Sequence, residues 1–160
     1  MRRRPESGTI VPMEILGTLG LADRVVAVQQ VSIFSELPVT DIQRIAEAAG
    51  ECRYSAGDVV FRVGDAEHHL IVIVAGGVTL TSGQNEMVDT RSVGDYLGEL
   101  ALLRHLPRSV TATAGQEGMH GLTITCQALE SIIEERPQIA SVMVRSLADK
   151  LASLETGEDR

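Results

Sequence analysis

The sequence predicts an antiparallel β-roll, a jelly-roll-like double-stranded β-helix, with α-helices before and after it. Three observations lead to this mostly β class. From Cys52 to Thr125, short runs rich in β-branched residues alternate apolar and polar positions with a period of two. Glycines such as Gly64, Gly83 and Gly94 separate these runs. Before and after this region, apolar residues recur at helical spacing instead.

The size and hydropathy of the chain indicate one globular domain. It has 160 residues, of which 44% are hydrophobic, and a mean hydropathy of +0.10. No apolar run approaches the roughly 18 residues that a membrane span requires. The arginines of residues 1–7 are followed by Pro12 and Glu14 rather than by an apolar signal core. We therefore expect a cytoplasmic protein without a membrane segment.

Charge and cysteine content exclude two kinds of site. The net charge of −8 repels nucleic acid, and the arginines of residues 2–4 are too few to form a DNA-binding surface. Cys52 and Cys126 are too few for a metal cluster and are interpreted as buried, reduced thiols. We expect no DNA partner, no metal and no cofactor, so any bound anion must be neutralised by a local group.

The first 50 residues are predicted to be helical after a flexible tail over residues 1–10. Within the helical region 11–50, apolar residues recur at helical spacing from Ile15 to Gln30. A second, amphipathic helix is predicted from Pro38 to Ala49, with Gly50 as its stop signal.

The β-roll is predicted over residues 51–125. Its strands are short, as a jelly roll requires. The six predicted strands are Val59–Val63, Leu70–Ala75, Val78–Ser82, Met87–Val93, Arg108–Ala114 and Met119–Thr125.

Two helices are predicted over residues 126–154, at 127–134 and 137–154, with residues 155–160 as a second tail. Thr125 suits an N-cap, and Pro137 suits a first helical turn. The last helix carries an apolar stripe formed by Ile139, Val142, Met143, Ser146, Leu147, Leu151 and Leu154. This stripe could cover the core of the roll, close over a ligand, or form a homodimer through residues 137–154. All the elements together are expected to form one domain.

The segment from Gly94 to Ser109, GDYLGELALLRHLPRS, carries the densest chemistry. Residues 99–103 make about one helical turn, whose first N–H groups have no partner within the helix and suit an anion. Gly98 lets a ligand approach the backbone closely. The guanidinium of Arg108 and the hydroxyl of Ser109 can donate to phosphate oxygens. A carboxylate at Glu99 would repel phosphate, so we expect it to accept from a sugar hydroxyl.

This segment resembles the phosphate-binding cassette of the cyclic-nucleotide-binding family, which includes the catabolite activator protein and the regulatory subunits of protein kinase A. The family cassette reads approximately F/Y-G-E-L/I-A-L and then P-R-S/A/T, and here Leu97 replaces the usual aromatic residue. The cassette spans residues 94–112, and the resemblance extends from Val31 to the last helix. It implies a non-enzymatic regulatory module that binds cAMP or cGMP and signals by movement of the C-terminal helix.

The resemblance assigns the ligand contacts to six residues: Gly98, Glu99, Leu100, Ala101, Arg108 and Ser109. In that scheme Glu99 accepts from the ribose 2′-hydroxyl, and Gly98 gives the sugar room. The side chains of Arg108 and Ser109, with the backbone amides of residues 100 and 101, hold the cyclic phosphate. The resemblance leaves the choice between cAMP and cGMP open, and it offers Arg145 and Lys150 as candidates to cover the base.

Two other classes of function were considered. A domain that has lost its ligand would use Glu99 and Arg108 as a structural ion pair and act as a scaffold or dimerisation domain. A metalloenzyme of the cupin type would need clustered histidines. His68 and His69 are consecutive residues next to a predicted strand, and consecutive strand residues point to opposite faces, so both are expected at the surface or at the edge of a loop. Only six residues follow Leu154, so we expect the output to come from a fused or separate transporter, channel, kinase or transcriptional domain.

Overall fold

The structure, a computed structural model, describes residues 19–67, 69–98, 104 and 106–156. Within these residues, four α-helices and a 3₁₀ turn flank six strands. In chain order the elements are α1 (Leu21–Gln29), the 3₁₀ turn (Ser32–Phe34), α2 (Val39–Ala48), β1 (Gly50–Tyr54), β2 (Val59–Phe61), β3 (His69–Thr81), β4 (Met87–Ser92), β5 (Tyr96–Leu97), β6 (Thr111–Thr125), α3 (Cys126–Glu135) and α4 (Gln138–Thr156).

The strands form one antiparallel sheet that is dominated by two long strands. Its order is β1-β6-β3-β4, while β2 pairs with β6 and β5 pairs with β3. Two helices precede the strands along the chain, and two follow them. The predicted class, an antiparallel β-roll with helices at both ends, is confirmed.

The long strands differ from the predicted pattern, because glycines bend them rather than separate them. The predicted strands 70–75 and 78–82 are two parts of β3, and β6 unites most of the last two predicted strands. At the bend, a Cβ on Gly76 would stand 2.1 Å from the carbonyl oxygen of Gly118, and both residues have positive φ. The backbones of β3 and β6 therefore approach closely where the pairing register shifts. Strands β1 and β5 and the 3₁₀ turn were not predicted.

The core lies on both faces of β3. Ile71 and Ile73 point into the roll, whereas Leu70 and Val72 pack in the cluster that includes the helices. All four side chains are at most 1% exposed. Because successive strand residues face opposite sides, a strand that is covered on both faces needs an uninterrupted apolar run.

Helix α4 is packed over its first half only. Ile139 and Met143 are buried, and Leu147 is partly buried against the same cluster. Leu151 and Leu154, from the same predicted stripe, remain 57% and 59% exposed. The first half of the stripe thus covers the core of this chain, and a homodimer through residues 137–154 stays a prediction.

A buried carboxylate joins the N-terminal helices to the sheet. The Glu51 side chain is 4% exposed and accepts from Arg24 Nη2 at 2.9 Å and from His120 Nε2 at 3.0 Å. The backbone N–H of Leu19 donates to it at 3.0 Å. Burial alone would raise the pKa of Glu51, but the bonds from His120 and Leu19 and the charge of Arg24 together lower it.

The two thiols differ, which corrects one prediction. Cys52 is buried, and burial raises its pKa to about 12. Cys126 is half-buried rather than buried, because it begins α3 and its Sγ lies 3.4 Å from Glu130 Oε2. Burial, together with the hydrogen bond and charge of Glu130, raises the pKa of Cys126 as well. Neither cysteine is in a disulfide.

No helix in the described part of the chain is both long and apolar enough to cross a membrane.

Candidate functional site

The predicted site residues that the structure describes meet at one cavity. Gly98, Arg108 and Ser109 line a space of about 530 Å³. Glu99, Leu100 and Ala101, together with His68 and His105, lie outside the described residues. The structure thus brings Gly98 to the same cavity as the consecutive residues Arg108 and Ser109, which follow it by ten and eleven positions.

The cavity wall draws on strands, loops and the last helix. Its lining residues are Phe61, Leu80, Arg91, Asp95, Tyr96, Leu97, Gly98, Leu106, Pro107, Arg108, Ser109, Val110 and Lys150. Lys150 brings α4 to the wall, and its Nζ lies 6.0 Å from the centroid of the Tyr96 ring. Of the two residues proposed to cover the base, Lys150 lines the cavity and Arg145 does not.

The backbone of Arg108 is fixed by the turn that follows β2. Its N–H donates to the carbonyl oxygen of Asp65, and its own carbonyl accepts from the N–H of Gly64, both at 2.8 Å. The Asp65 carboxylate closes this turn by accepting the N–H of Arg62 at 2.8 Å. Arg108 was predicted to begin a strand, but β6 begins at Thr111. The residue belongs to the preceding loop, where its N–H bonds to a turn rather than to a ladder.

The guanidinium of Arg108 is buried and only partly bonded. The residue is 4% exposed, its Nη2 donates to the carbonyl oxygen of His69 at 2.9 Å, and its Cζ lies 4.1 Å from the centroid of the Phe61 ring. The ring face attracts the cation, so these two contacts fix its position. Its Nε and Nη1 are buried without a hydrogen-bond partner among the described residues. Arg108 therefore lines the cavity with two donor nitrogens that no described residue satisfies.

Burial makes the charged form of Arg108 less favourable than it would be in water. Burial lowers its pKa, while the charges of Glu67 and Asp65, and Tyr54, act to raise it. The guanidinium nonetheless stays protonated, since arginine does not lose its proton in proteins. No carboxylate among the described residues lies within ion-pair distance of it. A buried cation of this kind is stabilised by an anion that enters beside it.

Gly98 is required by the arginine as well as by its own backbone. It has φ +91°, and a Cβ there would stand 2.2 Å from Arg108 Nη1 and 2.8 Å from the carbonyl oxygen of His69. The sequence had suggested Gly98 only as a place where a ligand approaches. The structure adds that any larger residue would displace the guanidinium.

The sequence did not predict the role of Glu67 near Arg108, and it placed His69 wrongly. Glu67 has a buried Oε1 without a hydrogen-bond partner in the described part of the chain. Burial and the charge of Asp65 raise the pKa of Glu67, and Arg108 opposes this. The expectation that His69 lies near the surface is wrong: it is 7% exposed, because β3 begins there and pairs with Thr125 of β6. Only the register of these strands could have revealed this.

Comparison with known proteins identifies the domain. The family model described as "Cyclic nucleotide-binding domain" matches residues 51–136, more than half of the chain. A cAMP-dependent protein kinase regulatory subunit of Schizosaccharomyces pombe is 35% identical over 86 residues, which are 54% of this chain and 21% of that protein. An uncharacterized ABC transporter ATP-binding protein of Mycobacterium tuberculosis is 32% identical over 99 residues, 60% of this chain and 27% of the relative. The chain thus spans about a quarter or less of these relatives.

Solved structures share the architecture. The N-terminal domain of a transcriptional regulator from Streptomyces coelicolor superposes with a TM-score of 0.73 and 25% identity, over 83% of this chain and 96% of that one. The regulatory domain of Toxoplasma gondii protein kinase A, solved with cAMP, gives a TM-score of 0.68 at 21% identity, over 83% of this chain and 49% of that one. The chain, whose buried arginine and positive-φ glycine share one cavity of a β-roll, belongs to the cyclic nucleotide-binding domain family.

Proposed function

We propose that this domain binds cAMP or cGMP in the Arg108 cavity and acts as a regulatory module. One observation carries the proposal. The guanidinium of Arg108 has two buried nitrogens without partners within the described residues, and Arg108 lines a cavity that is large enough for a small ligand. A group that is charged, buried and underbonded is stabilised by a ligand of opposite charge.

The chemistry of a cyclic phosphate suits these donors. It carries one negative charge on two exocyclic oxygens, and charge-assisted hydrogen bonds from Nε and Nη1 of Arg108 would neutralise it. Ser109 is exposed and lines the same cavity, so its hydroxyl can add a donor. The remaining contacts are proposed from the cassette over residues 94–112. The amides of Leu100 and Ala101 would hold the phosphate, and Glu99 the ribose 2′-hydroxyl.

We further propose that binding is not followed by a reaction. Within the described residues the cavity wall carries no histidine that could act as a general base. The S. pombe relative is named as a regulatory subunit rather than as a catalytic one. We place the protein in the cytoplasm, since neither cysteine is in a disulfide.

The response to the ligand is proposed to pass through α4. This helix is packed at Ile139 and Met143 but exposes Leu151 and Leu154 beyond Lys150, which lines the cavity. A ligand that contacts Lys150 in only one position of the helix would favour that position by its difference in affinity. The receiver would be a fused or separate kinase, transporter or transcriptional domain, as the names of the relatives suggest, or a channel.

Calorimetric titration tests the proposal. Wild-type protein is titrated with cAMP, cGMP, adenosine and guanosine. We expect at least one cyclic nucleotide to bind at one site per chain, and each nucleoside to bind about a hundredfold more weakly or not at all, because it lacks the charge that Arg108 neutralises. The recovered ligand should be chemically unchanged by chromatography. Absence of binding by both cyclic nucleotides would contradict the proposal and favour a ligand-free scaffold, and a linear monophosphate product would indicate an enzyme.

A further inference from the structure

Two charged residues of β4 are paired with interior residues of β3. The pairing register sets Arg91 opposite Val78 and Asp89 opposite Leu80. Residues that lie directly opposite each other in an antiparallel pair share a face of the sheet. Val78 and Leu80 belong to the interior apolar cluster and are 2% and 5% exposed. The side chains of Asp89 and Arg91 therefore leave β4 on the same face as Val78 and Leu80, and they are 54% and 34% exposed.

Arg91 reaches the cavity that also holds Arg108. It lines the wall, and its side chain is 34% exposed. Its Nη1 donates to Asp89 Oδ2, the one hydrogen bond that the described residues give this guanidinium. The two arginines reach the cavity from different parts of β3. Arg91 is opposite Val78, which follows the bend at Gly76. Arg108 lies against Gly98, and the residue before Gly98, Leu97, pairs with Ile71 ahead of that bend.

Apart from Arg108, most charged side chains on the described cavity wall are hydrogen-bond donors. Arg91 and Lys150 donate hydrogen bonds and cannot accept them. The carboxylate on the wall, Asp95, already accepts the N–H of Ser92 at 2.9 Å through its Oδ2. A purine that occupies this part of the cavity would thus meet donors first.

We propose that Arg91 determines base specificity and that the preferred ligand is cGMP rather than cAMP. This inference rests on the proposed function, in which Arg108 holds the phosphate and the base occupies the remaining space. Guanine presents two adjacent acceptors, O6 and N7, whereas adenine presents N7 beside the N6 amino donor. The guanidinium of Arg91 matches the first pair and opposes the amino group of the second, because arginine has no acceptor.

An alternative role for Arg91 makes a different prediction. Strand β4 is at an edge of the sheet order, and inward-pointing charges are one way in which proteins prevent edge strands from pairing with other chains. If Arg91 served only this purpose, its replacement would change association between chains and leave the ratio of the two nucleotide affinities unaltered. The ratio therefore distinguishes the two roles.

The test is the affinity of Arg91→Gln for both nucleotides, measured by calorimetry. A glutamine offers one donor and one acceptor, which match N7 and N6 of adenine. We expect wild type to bind cGMP about tenfold or more tightly than cAMP. In Arg91→Gln the affinity for cGMP should fall by about tenfold or more while that for cAMP is kept or increased. Arg53→Gln, an exposed arginine on the opposite edge strand β1, is the matched control and should keep the wild-type ratio.

A second variant guards against a folding defect in the first. Arg91→Lys keeps the charge and has no acceptor, so it should retain a preference for cGMP. The inference is overturned if wild type prefers cAMP or binds both equally, if Arg91→Gln keeps the wild-type ratio of the two affinities, or if Arg91→Lys loses the preference for cGMP. If wild type binds neither nucleotide, the proposed function itself fails, and this outcome is distinct from tight binding without selectivity.

Discussion

Replacing Arg108 with alanine is expected to weaken the binding of cAMP and cGMP about a hundredfold, or about 3 kcal/mol. The phosphate would lose the buried cation whose Nε and Nη1 have no other partner among the described residues. Water could restore part of the hydrogen bonding, but not the charge. Calorimetric titration of the variant and of wild type under the same salt and pH gives the ratio of dissociation constants.

The controls for this substitution separate binding from stability. Arg62→Ala removes an exposed arginine next to Phe61 and should keep the wild-type affinity. Arg108→Met removes the charge but keeps most of the volume beside Phe61. Without ligand, the free energy of unfolding of Arg108→Met should equal or exceed that of wild type. Folding of the variant no longer has to remove a cation with unsatisfied donors from water. An Arg108→Ala protein that is folded and binds as tightly as wild type would contradict the assignment.

The second large effect is on stability. Glu51→Gln is expected to lower the free energy of unfolding at pH 7 by about 3 kcal/mol, because Arg24 and His120 would lose the buried carboxylate that they share. Urea-induced unfolding followed by circular dichroism measures this difference. Glu36→Gln, at an exposed position of the loop before α2, is the matched control and should change stability by less than about 0.5 kcal/mol.

The effect of Glu51 should depend on pH with a defined sign. The pKa of Glu51 is lowered in the folded state. Its contribution is therefore fully present above the unfolded pKa of about 4.3 and is lost as pH falls through the folded pKa. The difference between wild type and Glu51→Gln should be constant near neutrality and shrink below about pH 4. A difference that is absent at pH 7, or that persists unchanged at pH 3, would show that the carboxylate does not stabilise the fold in this way.

Local patterns in the sequence were sufficient for the architecture and for part of the site. The period of two across residues 52–125 predicted an antiparallel barrel or sandwich, which the resemblance narrowed to a β-roll, and the helical spacing of Ile139, Val142 and Met143 predicted a packed helix. Gly98 and Arg108 could be selected because the sequence predicts a short helical turn between them whose first N–H groups suit an anion. The resemblance to the family cassette then assigned them to a cyclic nucleotide.

The features that the sequence did not predict depend on contacts between distant segments. Gly76 bends β3 instead of ending it, because its backbone meets Gly118 of β6. The half-exposed position of Cys126 depends on where α3 begins, and the burial of His69 depends on its pairing with Thr125. Arg91 resembles any charged residue of an edge strand until the register with Val78 shows which face it occupies. Each of these requires knowing which strands are neighbours.

The central claim is that the Arg108 guanidinium holds the cyclic phosphate, and arginine-selective NMR tests it most directly. In protein labelled with ¹⁵N-arginine, the Nε–H resonance of Arg108 is identified by its absence from Arg108→Met. Addition of saturating cAMP or cGMP should shift this resonance, because Nε gains an anionic partner, while the resonance of the exposed Arg53 stays in place. Saturating binding that leaves the Arg108 resonance unmoved would contradict the account.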